Sequence, residues 1–374
     1  MAELFKDVYC PAFYEQFSGV LIKVLPDFDS IKFNQMIFNE RFADYELKQR
    51  MHHTAEVLDH FMPEDFSSAV VTLKRIIDEL RGQGIKERSI EYMCLPDYIE
   101  TYGLDYYDSA VDCFEYVTQY TSCEFAVRPF IIRYPAKMLV QLQAWTTHES
   151  RHVRRLASEG SRPRLPWAMA LPAFKKDPTP LLPILTALKY DDCEVVRRSV
   201  ANNLNDIAKD NSNVVVHVAT LWLGDNALTD KLVKHACRTL LKQAQPEIMA
   251  LFGFQQDLIT LTEMSITTPV VKVGGKLTFN FTIDNTSGSP QKLRLEYGLY
   301  YLKKNGTLAR KVFKITERVI AGNTEEQITR HQSFKVISTR VFHLGMHKLA
   351  IIINGQESKI STEKEALYSF ELTS

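Results

Sequence analysis

Apolar residues recur at helical spacing through the first two thirds of the chain and at strand spacing through the last third. Residues 1 to about 125 predict helix throughout. Phe33 to Phe61 carries one long amphipathic pattern. Ser67 to Arg81 opens on serine caps and ends near Gly82 and Gly84, and Tyr106 to Tyr120 is aromatic-rich and stops before Thr121. A helix starting at Ser122, Cys123 or Glu124 would place a carboxylate in its first turn, where the helix dipole favours it. From Ser265 the texture changes. Lys276 to Ile283, Leu293 to Leu302, Lys311 to Val319, Gln327 to Val336 and Lys348 to Ile353 read as strands. Turn signals punctuate them, Asn305-Gly306 being the strongest and Asn354-Gly355 another.

A repeat runs through the middle of the chain. Val153-Arg154-Arg155-Leu156, Val196-Arg197-Arg198-Ser199 and Val233-Lys234-His235-Ala236 lie 43 and 37 residues apart, each after a polar turn. A period near 40, with a basic pair at the start of a second helix, predicts HEAT-like helical hairpins stacked into a solenoid. Stacking sets the second helices side by side and predicts a common surface for Arg155, Glu159, Arg198, Asn202 and Asp206. The expected fold is therefore multidomain. An all-α HEAT-like repeat solenoid over residues 1–257 is followed by an all-β immunoglobulin-like sandwich over 265–374, the latter of seven or so short strands without a cysteine bridge.

Composition narrows the picture modestly. No apolar run reaches membrane-spanning length, and the N-terminus lacks a basic region followed by an apolar core, so neither a membrane span nor a signal peptide is expected. Six cysteines without a CxxC pair predict a reducing, cytoplasmic setting and no zinc site. His52, His53 and His60 do not form HExxH and read as solvated or core-edge side chains. Formal net charge is zero, but residues 265–374 hold 11 Lys and 5 Arg against 9 Asp and Glu, a net of +7. Global neutrality is thus no argument against a polyanionic partner.

Chemistry concentrates between Trp145 and Trp167. Arg151, Arg154, Arg155, Arg162 and Arg164 face one acid, Glu159, on a helix expected from Ser150 to Ser158, with Gly160 as its stop and Pro163 and Pro166 preventing resumption. Arg154 and Arg197 are explained by pairing with aspartates of a neighbouring repeat. The remaining cations exceed that need and suggest phosphate binding. Carboxylates on such a surface make sense where a reaction generates a cation, such as an oxocarbenium sugar. Trp167 offers a flat face for a cationic base or a sugar, or a core side chain. Nucleotide-binding, nucleophile-elbow and zinc-protease motifs are missing.

The run from His152 to Trp167, HVRRLASEGSRPRLPW, resembles the signature of the HEAT-like DNA alkylation repair glycosylases, in their AlkC branch. Ser122 to Phe130 (SCEFAVRPF) and Ser199 to Asp206 (SVANNLND) resemble that branch in type and order. The C-terminal sandwich is similar to the Ig-like domain of one subset. The resemblance implies a monofunctional, cofactor-free and metal-free glycosylase, monomeric and nucleoid-associated, acting on double-stranded DNA. It implies release of cationic N-alkylated bases, 3-methyladenine chiefly and 3-methylcytosine in this branch, without full base flipping. It places Glu124, Glu159, Asp206 and Trp167 in the site, and Arg155, Arg162, Arg164 and Arg198 at phosphates, with Lys303 and Lys304 of the sandwich as further contacts. The rival reading is a non-enzymatic HEAT scaffold that binds proteins or DNA.

Overall fold

The computed structural model describes residues 4–255, 257–336, 341–363 and 365–374. Two compact units divide at Ala236/Cys237. Among the described residues the first holds fourteen α-helices, and the second holds two short helices and nine strands. No described helix is long and apolar enough to cross a membrane.

Three second helices, Arg151–Gly160, Glu194–Ile207 and Ala227–Ala236, pack side by side as the repeat predicts. Each buries one stripe: Val153, Leu156 and Ala157; then Val196, Val200, Leu204 and Ile207; then Leu232, Val233 and Ala236. Ser150 caps the first of them by accepting from His152 N at 3.4 Å. Arg154 builds the expected ladder. Its Nε donates to Asp191 Oδ2 at 2.6 Å and its Nη1 to the carbonyls of His148 and Glu149.

Several boundaries differ from the periodic reading. The Phe33 to Phe61 pattern is two helices, Ser30–Ile37 and Leu47–Asp59, interrupted around a short 3-10 turn at Phe42–Asp44. Asp65, not a serine, caps the helix Phe66–Gly82 through Ser68 N at 2.8 Å. Glu124 lies in a turn, and the next helix starts at Val127. Gly160 is the last helical residue rather than a left-handed stop. Its missing Cβ answers to packing, because a Cβ there would lie 2.6 Å from Val127 Cγ1.

In the second unit a three-stranded sheet faces a larger one. The strands are β1 (Ile259–Ile266), β2 (Val270–Lys272), β3 (Lys276–Asn285), β4 (Gln291–Leu302), β5 (Leu308–Ile320), β6 (Thr324–Ser333), β7 (Gly345–Ile353), β8 (Gln356–Ser358) and β9 (Tyr368–Thr373). The orders are β1-β3-β6 and β2-β9-β7-β4-β5, with β8 beside β7. Phe279, Phe281, Tyr297, Phe334 and Phe370 sit in the core between them. The tight primed hairpin falls at Asn354-Gly355, where φ is 45° and 86°. At Asn305-Gly306 only Gly306 has positive φ, and Gly306 N bonds Lys303 O while Lys303 N bonds Thr307 O, a longer turn closed by a glycine.

Candidate functional site

The Arg151–Gly160 helix ends in a loop, 161–169, that is shaped from the inside. Arg128, fully buried on the Val127–Arg133 helix, donates from Nε to Met169 O at 2.6 Å, and from Nη1 to Gly160 O at 2.9 Å and Arg162 O at 2.8 Å. One guanidinium thus ties both ends of the loop to one point. Burial, then the charge of Arg162, lowers its pKa to about 10, which still leaves it charged at neutral pH. Three neutral carbonyls and the field of the nearby acids hold that charge in the interior.

The loop delivers Arg162 into a line of alternating charge. Glu124 Oε2 accepts from Ser122 Oγ at 2.7 Å and from Arg155 Nη1 at 2.6 Å. Arg155 Nη2 stands 3.7 Å from Glu159 Oε1, the same oxygen that accepts from Arg162 Nη1 at 2.6 Å. Arg162 turns its Nε and Nη2 to Asp206 Oδ2, both at 2.8 Å, and Lys209 meets Asp206 Oδ1 at 2.8 Å. Ser199 Oγ donates to Glu159 Oε2 at 2.6 Å, and Asn203 Nδ2 bonds the carbonyl of Ser158 at 2.8 Å. Burial alone would lower the Arg162 pKa, but Glu159 and Asp206 carry it above its ordinary value. Carboxylates from three separate elements are therefore linked in order by two arginines.

This line borders a cleft of about 390 Å³ that Glu124, Glu159, Arg162 and Trp167 line together with Lys48 and Phe125. Trp167 is 60% exposed, so it is not a core side chain. Its φ is +66°, a conformation that bulky residues seldom adopt. Phe5 meets the indole edge-on at 6.1 Å, and Lys48 Nζ donates to the Trp167 carbonyl at 3.0 Å. The side chains of Glu124, Glu159 and Asp206 are 17%, 7% and 1% exposed. Glu124 and Glu159 can reach a ligand directly, while Asp206 stands behind Arg162.

The arginines expected at phosphates occupy different places. Arg162 is buried between two carboxylates, because the loop turns inward at that point, so phosphate contact does not fit it. Arg155 is committed to Glu124. Arg164 makes a two-pronged bond to Asp210 at 2.6 and 2.7 Å and remains more open. Arg198 is 59% exposed, bonds Glu194 and lines a separate cleft with Arg197, Lys231 and His235, while Asn202 faces His235 at 3.0 Å. The predicted single surface is therefore split. At 3.6 residues per turn Asp206 follows the Ser199–Asn203 row toward Glu159, whereas Arg198 and Asn202 turn toward the next helix. Lys303 and Lys304 are exposed on the β4–β5 turn of the second unit.

Sequence reasoning did not single out Lys48, Phe125, Ser199 or Arg128. Phe125, Arg128 and Ser199 lie within the runs Ser122 to Phe130 and Ser199 to Asp206 that carry the family resemblance, whereas nothing in the sequence marked Lys48. The histidines are engaged locally. His52 Nδ1 pairs with Asp97 at 2.8 Å, and His53 Nε2 lies 3.1 Å from the carbonyls of Met36 and Ile37. Beside His52, burial and then Asp97 raise the Glu100 pKa to about 7. Arg88 contacts His152, whose pKa is lowered to about 4 by burial, then by Arg88 and Arg151.

Comparison with known proteins adds three findings. Residues 260–364 match the family model described as "Uncharacterised protein YhaZ, C-terminal Ig-like domain". The chain is 40% identical over 357 residues to the uncharacterized protein YhaZ of Bacillus subtilis (strain 168), covering 95% of this chain and 97% of that one. It also matches the structure of Pseudomonas fluorescens alkylpurine DNA glycosylase AlkC bound to DNA containing an abasic site analog, with a TM-score of 0.91, 30% identity and full coverage of both chains.

Proposed function

The chain belongs to the family that contains YhaZ and AlkC, and from that premise we propose that it is an alkylpurine DNA glycosylase. The observation that carries the reading is the cleft itself, where Glu124, Glu159 and an exposed indole share one wall and a buried third acid, Asp206, backs them. A protein scaffold gives those groups no common task. A glycosylase acting on a cationic base does.

Alkylation of a ring nitrogen makes the base a cationic leaving group, so its departure needs no general acid. The bond from C1′ to the base nitrogen breaks, the electron pair neutralises the base, and positive charge spreads over C1′ and the ring oxygen. Glu159, held by Arg162 and Ser199, presents a fixed negative charge to that sugar. Glu124, the most exposed of the three, orients water for attack on C1′ and takes its proton. Trp167 packs its ring against the sugar or the cationic base. Arg162 and Asp206 fix the geometry of Glu159 instead of meeting DNA.

The finer reading follows the same chemistry. The substrates are cationic lesions in duplex DNA, 3-methyladenine chiefly and 3-methylcytosine as well, and an open cleft suits recognition without full base extrusion. Lys48, a lysine of the cleft wall, spends its ammonium on the Trp167 carbonyl, so the reaction ends at an abasic site without strand cleavage. Such an enzyme works as a monomer in the cytoplasm, at the nucleoid.

Single-turnover release of 3-methyladenine from methylated duplex tests this. Glu124→Gln and Glu159→Gln are expected to slow release by about 10²-fold or more. DNA affinity should change little. Release at the wild-type rate by both variants removes the site, and DNA binding by the wild type with no free base returned favours the scaffold.

A further inference from the structure

The backbone at Trp167 is set within the loop, as the third residue of the turn Leu165-Pro166-Trp167-Ala168, which Ala168 N closes on Leu165 O at 3.3 Å. Its φ of +66° places a bulky side chain in the left-handed region, where that position of the turn favours Gly or Asn, so a tryptophan there relies on its surroundings to hold it. Arg128 fixes the two ends of the loop, at Gly160, Arg162 and Met169, but does not touch residue 167. Two contacts from outside the loop reach it, and both come from more than a hundred residues away in sequence. Lys48 Nζ donates to the Trp167 carbonyl at 3.0 Å, and Phe5 meets the ring edge-on.

Those two contacts are mechanically connected. Lys48 sits in the first turn of the helix Leu47–Asp59, and that turn is closed by a capping box in which Gln49 Oε1 accepts from Glu46 N at 2.9 Å. Phe5 begins the 3-10 turn Phe5–Val8, which is docked on the same helix start. Arg50 donates from Nη1 to Lys6 O at 3.0 Å and to Tyr9 O at 3.3 Å, while Lys6 Nζ reaches Glu46 Oε1 at 2.9 Å. Lys48 is itself steered, with its ammonium 5.6 Å from the centre of the Phe125 ring. Asp97 acts on it electrostatically from the neighbouring helix.

We propose that Lys48 is a positioning residue for Trp167. It forms with Phe5 a brace that holds the loop backbone and the indole in the cleft beside Glu124 and Glu159. An ammonium bonded to the Trp167 carbonyl restrains the peptide plane that follows the residue, so the turn and the indole it carries keep one direction before DNA arrives. The catalytic benefit is preorganisation, since an indole free to swing would have to be ordered at each encounter. The proposal rests on Trp167 being a site residue, but the mechanical claim, that Lys48 fixes Trp167, stands or falls separately.

The test uses the full chain labelled with 5-fluorotryptophan. The chain has three tryptophans, Trp145, Trp167 and Trp222, of which Trp145 and Trp222 are buried. Trp167→Phe assigns the fluorine resonance of Trp167. Lys48→Met keeps the length of the side chain and removes its donors. It should shift or broaden that resonance alone, and slow single-turnover release of 3-methyladenine by about tenfold, the loss of roughly one charged hydrogen bond. Affinity for DNA and melting temperature should stay near wild type, because the lysine is exposed. Lys48→Arg should restore both resonance and rate.

A Lys48→Met variant with an undisturbed Trp167 resonance overturns the brace whatever its rate. So does a moved resonance with an unchanged rate when Trp167→Ala is slow. If Trp167→Ala itself releases base at the wild-type rate, the part given to Trp167 in the reaction is lost, and the resonance still decides whether Lys48 holds it.

Discussion

At the scale of single residues, the site is an exercise in partner choice. The residue types were legible in the sequence, because three acids among many arginines on a repeat face stand out against a phosphate-binding background. Their pairing was not legible. Which arginine meets which carboxylate depends on the path of a proline-rich loop that brings Arg162 back toward Asp206 from 44 residues away. The same two residues could have been drawn on a shared outer surface with equal sequence support. The buried pairing carries its own prediction. Arg162→Met should leave Glu159 and Asp206 as uncompensated charges and cost about 3–5 kcal/mol in urea denaturation. Arg162→Lys should recover only part, since one ammonium cannot reproduce the fork that spans both acids. Were Arg162 instead a phosphate contact, Arg162→Met would keep its stability and lose only affinity.

At the scale of elements, periodicity located the helices well where an apolar stripe met a helical neighbour, and poorly where aromatic residues filled both helix and turn. Phe38, Phe42 and Tyr45 continue the apolar pattern through a stretch where the backbone has left the helix, so one long helix was expected in place of two. In the sandwich strands β3, β4, β5, β6 and β7 were visible. β2 and β8 were not, being three residues long, and β1 and β9 were not placed although Ile259-Thr260-Leu261 and Tyr368 to Leu372 alternate. Gly160 shows the limit of reading a glycine by its usual conformational use. It looks like a helix stop and is in fact a contact point, with Val127 filling the space of a side chain. Gly160→Ala therefore opposes two effects. Alanine favours helix by about 1 kcal/mol, while the added methyl must push the Val127–Arg133 helix away from the Arg151–Gly160 helix. The second should win, for a net loss of about 1–3 kcal/mol by thermal melting. Excision should fall with it, because Arg128 on the displaced helix holds the loop. A gain in stability would mean that Val127 yields without cost.

At the scale of the whole molecule, the chain divides into its two units earlier than the reading by texture. The helical part was expected over residues 1–257 and strand texture begins at Ser265, yet the helices Arg238–Lys242 and Pro246–Leu251 group with the sandwich. Lys292 Nζ bonds Phe252 O at 3.0 Å, Asn354 Nδ2 bonds Gln255 O at 2.6 Å, and Gly355 lies so close to Ala244 that a Cβ would stand 2.6 Å away. A helical pattern announces a helix but not which core it joins, so this allegiance could not be read from spacing. What the sequence does carry at this scale is the separation of charge, +7 over residues 265–374 against an equal deficit elsewhere. If the second unit contributes to DNA binding through Lys303 and Lys304, that contribution is electrostatic and must appear in the salt dependence. Each phosphate neutralised adds about −0.9 to the slope of log affinity against log salt. Lys303→Ala combined with Lys304→Ala should flatten the slope by about 2 if both lysines meet phosphates, and by about 1 if one does. Under saturating DNA the single-turnover rate should not change, because neither lysine lines the cleft. Arg198→Ala is the parallel measurement on the helical unit, with an expected change of about 1. A slope untouched by the double substitution, together with one reduced by Arg198→Ala, would assign phosphate binding to the helical unit and leave the basic character of the sandwich to some other use.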